Sequence, residues 1–235
     1  MAGLKHIDSF DREFIDFSIE QWAMGIRARL LIKSGCMDDA KLCLAQMLAA
    51  DTPATDPVIR QITHHLHVEL AAMIQDAQHA SHHAGVVSAL LVQSPSPYSK
   101  GFTFWCVGVA NESIGNLAFA QSNFSEALTC IAQTKVGAEF EAEINAGLAE
   151  CQYKLGNFDQ ALIVAQENLT ATQSRSNRVA ECRARLVCSQ VLARGDVQAR
   201  QEALTHLVRA EQLVMQTGAR AYEYALRNAQ AILRQ

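Results

Sequence analysis

The chain has 235 residues, 49% of them apolar and 19% charged, with a formal net charge of −4. That length buries a sizeable core as one domain or two. The slightly acidic balance excludes a nucleic-acid binder working through clustered Lys and Arg, and no apolar run approaches the roughly 18 residues of a membrane span. The most basic stretch, Arg175 to Arg185, is interrupted by Glu181 and by apolar residues at helical spacing. No basic region leading into an apolar stretch opens the chain, so no secretory signal is expected.

The seven cysteines, Cys36, Cys43, Cys106, Cys130, Cys151, Cys182 and Cys188, form no CxxC pair. Each falls inside a helical pattern, where a free Cys acts as a small apolar residue. A reducing, cytoplasmic setting is expected, in which the sequons at Asn111, Asn123 and Asn168 stay unmodified. The four prolines, Pro53, Pro57, Pro95 and Pro97, all precede Tyr98. A proline costs a helix interior roughly 3 kcal/mol, so the proline-free remainder, rich in Ala, Leu, Gln and Glu, reads as a run of helices. No alternating β-branched segment lies between turn residues.

In chain order, the periodicity predicts a single all-α domain over 1–235, built from about five helical hairpins and a cap. The first hairpin covers about 9–50. Its long first helix, from about Ser9 to Ser34, places Phe14, Phe17, Ile19, Trp22, Ile26 and Leu30 at steps of mostly three or four and ends at Gly35. The second, about 57–93, opens on the cap-and-proline pair Asp56-Pro57. Ser94-Pro95-Ser96-Pro97 reads as a loop between repeats, because the helical pattern resumes at once. Hairpins at about 98–134, 138–172 and 177–217 follow, and a helix at 219–234 covers the last apolar face.

One unit recurs. Leu155-Gly156-Asn157-Phe158-Asp159-Gln160-Ala161-Leu162 echoes Gln121-Ser122-Asn123-Phe124-Ser125-Glu126-Ala127-Leu128, with Ala127 and Ala161 34 residues apart. That period, with a small residue at this place, belongs to stacked helical hairpins. The chain resembles the tetratricopeptide repeats, in which small residues let paired helices approach, a glycine makes the turn and an aromatic fills the gap between hairpins. Ala28, Gly35 and Ala40 match that pattern in the first hairpin; Gly115, Phe124 and Ala127 in the third; Ala149, Gly156, Phe158 and Ala161 in the fourth; and Cys188, Gly195 and Ala203 in the fifth. Gly115, after Ile114, is read as the small residue midway along a first helix. With Ala40, Ala84, Ala127, Ala161 and Ala203 taken as equivalents, the steps are 44, 43, 34 and 42. Most repeats are then longer than the type pattern, as in the degenerate helical repeats of large bacterial signalling proteins. The stretch from Ala210 to Glu223 is similar to the end of the repeat region in bacterial class III adenylyl cyclases and related ATPase regulators. The resemblance implies either a repeat region of such a protein or a free-standing relative. No G-x-x-x-x-G-K-[ST] loop or cyclase metal site is present, so any cyclase or ATPase activity belongs outside this chain.

Such a superhelix binds along its concave face, lined by the first helix of each pair. The repeat pattern expects Glu112, Asn116 and Phe119 there from the third hairpin, Glu143, Glu150 and Lys154 from the fourth, and Arg185 and Ser189 from the fifth. Gly147 and Leu186 stand where a co-chaperone clamp for a C-terminal carboxylate needs polar groups, which disfavours that role. Phe102, Phe104 and Trp105 read as core rather than a ligand platform, and Tyr222 and Tyr224 as part of the cap. Six of the eight histidines lie between His64 and His83. His64 and His67 are three apart and His79 and His83 four apart, so each pair shares a helix face, and antiparallel helices would bring the pairs together as zinc or nickel ligands. A pH response through the same groups is the other chemical reading. Without H-E-x-x-H, G-x-S-x-G or a helix-end cysteine, no intrinsic enzyme is expected. The expectation is a non-catalytic interaction or regulatory scaffold without a cofactor. It would bind a peptide or a neighbouring domain of the same polypeptide, with end-to-end homodimerisation open. A small-molecule or metal-sensing domain is the alternative.

Overall fold

The computed structural model describes residues 18–52, 54–135 and 137–234. Within them the chain is all helix. The helices are α1 (Ile19–Lys33), α2 (Met37–Ala49), α3 (Pro57–Met73), α4 (Ala77–Gln93), α5 (Pro97–Ser113), α6 (Leu117–Thr134), α7 (Glu141–Lys154), α8 (Phe158–Ser174), α9 (Arg178–Leu192), α10 (Val197–Thr217) and α11 (Glu223–Leu233). Single 3-10 turns at Ala138–Phe140 and Arg220–Tyr222 lead into α7 and α11. The expected start at Ser9, with Phe14 and Phe17, and the loop residue Pro53 lie outside the described residues. Several starts follow from the local sequence. Asp56 accepts from the Val58 and Ile59 amides with Pro57 at the first helical position, and Ser96 accepts from the Ser99 amide ahead of α5.

The first four hairpins share one turn. After α1, α3, α5 and α7 a residue in the left-handed region stands at Gly35, Gln75, Gly115 and Gly156. At each, the next residue's amide bonds back to the carbonyl five positions earlier, as Cys36 does to Leu31 and Asn157 to Gln152. This is the Schellman closure, which satisfies helix-end carbonyls. Gln75 stands without the glycine advantage, which is why the second hairpin hides its turn from a sequence reading. Five residues after each left-handed residue comes an alanine of zero exposure: Ala40, Ala80, Ala120 and Ala161. These are 40, 40 and 41 residues apart, and Ala203 follows 42 later.

The repeat register thus differs from the one read off the sequence in the second and third hairpins. Ala84 and Ala127 are buried one to two turns deeper in α4 and α6 and are not the equivalents of Ala40 and Ala161. Gly115 is a turn residue, and a Cβ placed there would meet nothing within 4 Å. The small residue midway along α5 is Gly108. The 34-residue echo aligned the middle of α6 with the start of α8, because both carry Asn-Phe followed three residues later by Ala-Leu.

Small residues also set how closely the helices approach. The Phe124 ring is buried in α6, and Cβ atoms added at Gly108 of α5 and Gly147 of α7 would fall 2.6 and 2.8 Å from its ring atoms. Gly195 has no left-handed backbone; a Cβ there would stand 2.7 Å from the Ala199 Cβ. The first helices α1, α3, α5, α7, α9 and α11 contact one another in succession, forming an inner wall. The second helices stand outside, each packed between the first helices before and after it. This is an all-α helical-repeat superhelix, and it closes. Near the end of α1, a Cβ on Gly35 would stand 3.2 Å from the Arg220 Cβ, and the Lys33 Nζ lies 3.4 Å from the Tyr222 hydroxyl.

Phe102 and Trp105 are core, packed with Phe140 and Tyr98. Tyr222, Leu226 and Ala229 cover the end of the α9–α10 hairpin, while Tyr224 faces solvent. All seven cysteines are free, and among the buried ones desolvation pushes the Cys151, Cys182 and Cys188 thiols up to about 12. No helix among the described residues is long and apolar enough to cross a membrane.

Gly147→Ala is expected to cost about 1–3 kcal/mol through overpacking on Phe124 despite alanine's better helix propensity. Gly85→Ala, in the exposed interior of α4 where a Cβ meets nothing within 4 Å, is expected to gain up to about 1 kcal/mol. Urea unfolding of both variants checks the contrast.

Candidate functional site

Charged side chains from α1, α3, α5, α7 and α9 converge on the inner wall. Arg29 and Lys33 lie one turn apart on α1, as do His65 and Glu69 on α3, so each pair shares a face. Arg29 Nη2 donates to Glu69 Oε1 at 3.0 Å, and His65 Nε2 lies 2.9 Å from the same oxygen. Arg183 of α9 is held as a fork by Glu150 of α7, with Nε to Oε1 at 2.8 Å and Nη2 to Oε2 at 2.9 Å. Its Nη1 donates to Glu143 Oε2 at 3.2 Å, and Lys33 Nζ reaches that oxygen at 3.2 Å from α1. Lys154 donates to Glu112 Oε1 of α5 at 2.7 Å. Arg29 also lies over the Trp105 and Phe140 rings, 5.3 and 5.2 Å from their centroids. Arg29–Glu69 and Glu143–Arg183 are each 40 residues apart, the period that sets neighbouring first helices side by side.

The groups enclose a cleft of about 200 Å³ lined by Lys33, Glu69, Trp105, Glu112, Glu143, Glu150, Lys154 and Arg183, among others. Burial pushes the Glu69 carboxyl up, but Arg29, Lys33 and the His65 hydrogen bond outweigh it and hold Glu69 well below the carboxylate range. Burial is likewise outweighed at Glu143 by Lys33 and Arg183, and at Glu150 by Arg183, so both are held low. Glu112 goes the other way: burial, then the neighbouring Glu150, raise its carboxyl against the pull of Lys154. Lys33 is raised because Glu143, Tyr222 and Glu69 outweigh its desolvation.

Of the residues expected in the groove, Glu112, Glu143, Glu150 and Lys154 line this cleft. Asn116 and Phe119 stand elsewhere. Helix α5 ends at Ser113, so Asn116 caps α6, and Phe119 lies on the outer helix with 64% exposure. Arg185 and Ser189 also stand elsewhere. Arg185 is two positions past Arg183, about 200° around the helix, and pairs with Glu181 on the side of α9 near His206 of α10. Ser189 is fully buried in α9. Sequence reasoning missed Arg183, Arg29, Lys33 and Glu69. Opposite charges 40 residues apart were the available signal, hidden by the 34-residue register.

The histidines form a second constellation, between α3 and α4. His64 Nδ1 lies 2.6 Å from His83 Nδ1, His83 Nε2 lies 3.0 Å from His79 Nε2, and His79 Nε2 lies 3.4 Å from His67 Nδ1. His64, His67 and His83 are buried, and His79 is at the surface. Desolvation, then the other imidazoles, lower His67 to about 4 and His83 to about 3.

Two outcomes follow. Arg183→Met leaves the partly buried Glu143 and Glu150 without their shared guanidinium and is expected to cost about 2–3 kcal/mol in urea unfolding, against about 1 kcal/mol or less for Lys154→Met at the half-exposed rim. The histidines set the acid limit. Burial above all holds His64, His67 and His83 below the ordinary 6.5, so the unfolded chain takes up the extra protons as pH falls. Stability is therefore full above pH 6.5 and declines towards pH 4, before the low-lying carboxylates titrate. Chelator-treated protein is expected to lose on the order of 1–2 kcal/mol between pH 7 and 5, after allowance for partial solvent access, as read from urea midpoints.

No protein-family model matches the chain, and no curated protein matches it by sequence.

Proposed function

We infer that the chain is a non-catalytic binding module of tetratricopeptide type that regulates or scaffolds a signalling protein, taking a segment of a partner protein or of its own parent polypeptide against the inner wall. The observation that supports this is the cleft between the first helices, with its charged groups already held in place by one another. Preorganised polar groups bind at a smaller ordering cost than mobile ones. A cleft of about 200 Å³ has room for one long side chain rather than a length of backbone, so the bound segment lies across the mouth and inserts one residue.

The lining selects the chemistry of that residue. Glu69, Glu112, Glu143 and Glu150 face Lys33, Lys154 and Arg183, and Glu112 is the carboxyl that burial, then Glu150, raise in spite of Lys154. An Arg or Lys side chain entering beside Glu112 stabilises its ionised form. A reducing, cytoplasmic setting belongs to the same reading and is supported by the seven free thiols.

Fluorescence anisotropy against matched peptide sets carrying a central Arg, a central Asp or a neutral residue tests this reading. The Arg set is expected to bind preferentially, more tightly as pH rises through the Glu112 titration, and about ten-fold or more weaker to Glu112→Gln. Equal binding of the three sets, or indifference to Glu112→Gln, would overturn it.

A further inference from the structure

The charged cleft leaves the histidines between α3 and α4 without a role. Helix α3 is buried on several faces at once. One face gives His65 and Glu69 to the inner wall, while His64 and His67 point towards α4 and meet His79 and His83. Three nitrogens converge there: one ring nitrogen from each of His67, His79 and His83, all within 4.8 Å of one another. The contacts that place them are His79 Nε2 to His67 Nδ1 at 3.4 Å and to His83 Nε2 at 3.0 Å.

We propose that His67, His79 and His83 form a binding site for a divalent transition metal, Zn²⁺ in the first instance, with His64 as the positioning residue and the fourth coordination position open to solvent beside His79. Zinc–imidazole bonds of about 2.0–2.1 Å in a tetrahedron put neighbouring ligand nitrogens about 3.3 Å apart, close to the 3.4 and 3.0 Å that separate His79 Nε2 from the other two. The ligand set is all imidazole, which suits zinc, nickel and copper and gives no hold to the oxygen-seeking Mg²⁺ or Ca²⁺. Burial, then the neighbouring imidazoles, depress the protonation of His67 and His83, so their lone pairs are free to bind.

His64 supplies the outer contact. With His83 Nε2 on the metal, His83 Nδ1 carries the proton and donates it to His64 Nδ1, 2.6 Å away. This fixes the tautomer and ring angle of His83, the role that outer partners play at histidine-ligated metals. The His67 and His83 rings lie 4.2 Å apart and 11° from parallel, an arrangement in which packing already limits their rotation. His82, exposed on the same helix with its ring 5.1 Å from that of His83, is outside the ligand set and serves as the internal control. A metal here joins α3 to α4, so the site fastens the second hairpin and couples its stability to metal supply.

The test uses the untagged full chain, stripped with EDTA and desalted, titrated with ZnCl₂ by calorimetry at neutral pH. The expected result is one zinc per chain and a raised melting temperature, with CoCl₂ giving the intense visible bands of tetrahedral cobalt. His79→Asn, at the surface where it does not disturb folding, is expected to abolish stoichiometric binding and the cobalt bands. His64→Gln is expected to weaken zinc by about 10–100-fold while keeping the stoichiometry, and His82→Asn to change nothing. Absence of a one-to-one phase in the unmodified chain would overturn the proposal. So would unchanged affinity in a His79→Asn chain that circular dichroism shows to be folded, or a loss in His82→Asn as large as that in His79→Asn.

Discussion

Close approach between helices is the constraint on which the rest depends. Hairpins one, two and four each bring a small residue of the first helix near the alanine that begins the second. Ala28 and Ala40 share one buried cluster, and Ala149 and Ala161 another. Gly108 of the third hairpin and Gly147 of the fourth leave just the space that the Phe124 ring fills. Interiors are packed as densely as organic crystals, so a methyl group at such a point is not absorbed locally. It moves a helix, and because each first helix also touches the next, the shift passes along the inner wall.

The wall turns that regularity into electrostatics. A period of 40 residues sets Arg29 beside Glu69 and Glu143 beside Arg183, while closure of the superhelix brings Lys33 to Glu143 and Tyr222 from the other end of the chain. Charges taken out of water are costly unless each is paired and hydrogen-bonded. Here one guanidinium serves two carboxylates and one carboxylate serves two cations, so the network holds as a unit. Glu112 is the exception: burial, then the neighbouring Glu150, raise its carboxyl in spite of Lys154.

Helix α3 carries both polar constellations on different faces. Residues 65 and 69 turn to the wall and residues 64 and 67 to α4. A polar helix buried on several sides is unusual, since polar groups are stable inside only with partners. Glu69 finds cations, and the histidines find one another. The wall and the histidine cluster are separate in space and chemistry, and share a backbone.

Much of this was legible in the amino acids alone. The absence of proline after Pro97, the cap at Asp56, the turn glycines Gly35 and Gly156 and the spacing of the apolar residues fix the helices, because these are local effects within a turn or two of chain. The histidine spacing likewise placed two pairs on two helix faces. The repeat register was not legible, because Gln75 takes a left-handed turn that its side chain does not advertise and Asn-Phe recurs in two helices at different depths. Nor was the cleft. Arg183 and Arg185 look alike in sequence, and only the rotation of α9 against α7 sends one to Glu150 and leaves the other beside Glu181. Closure of α1 on the turn before α11 joins residues nearly two hundred positions apart, and contacts over that distance depend on the summed geometry of every hairpin between them.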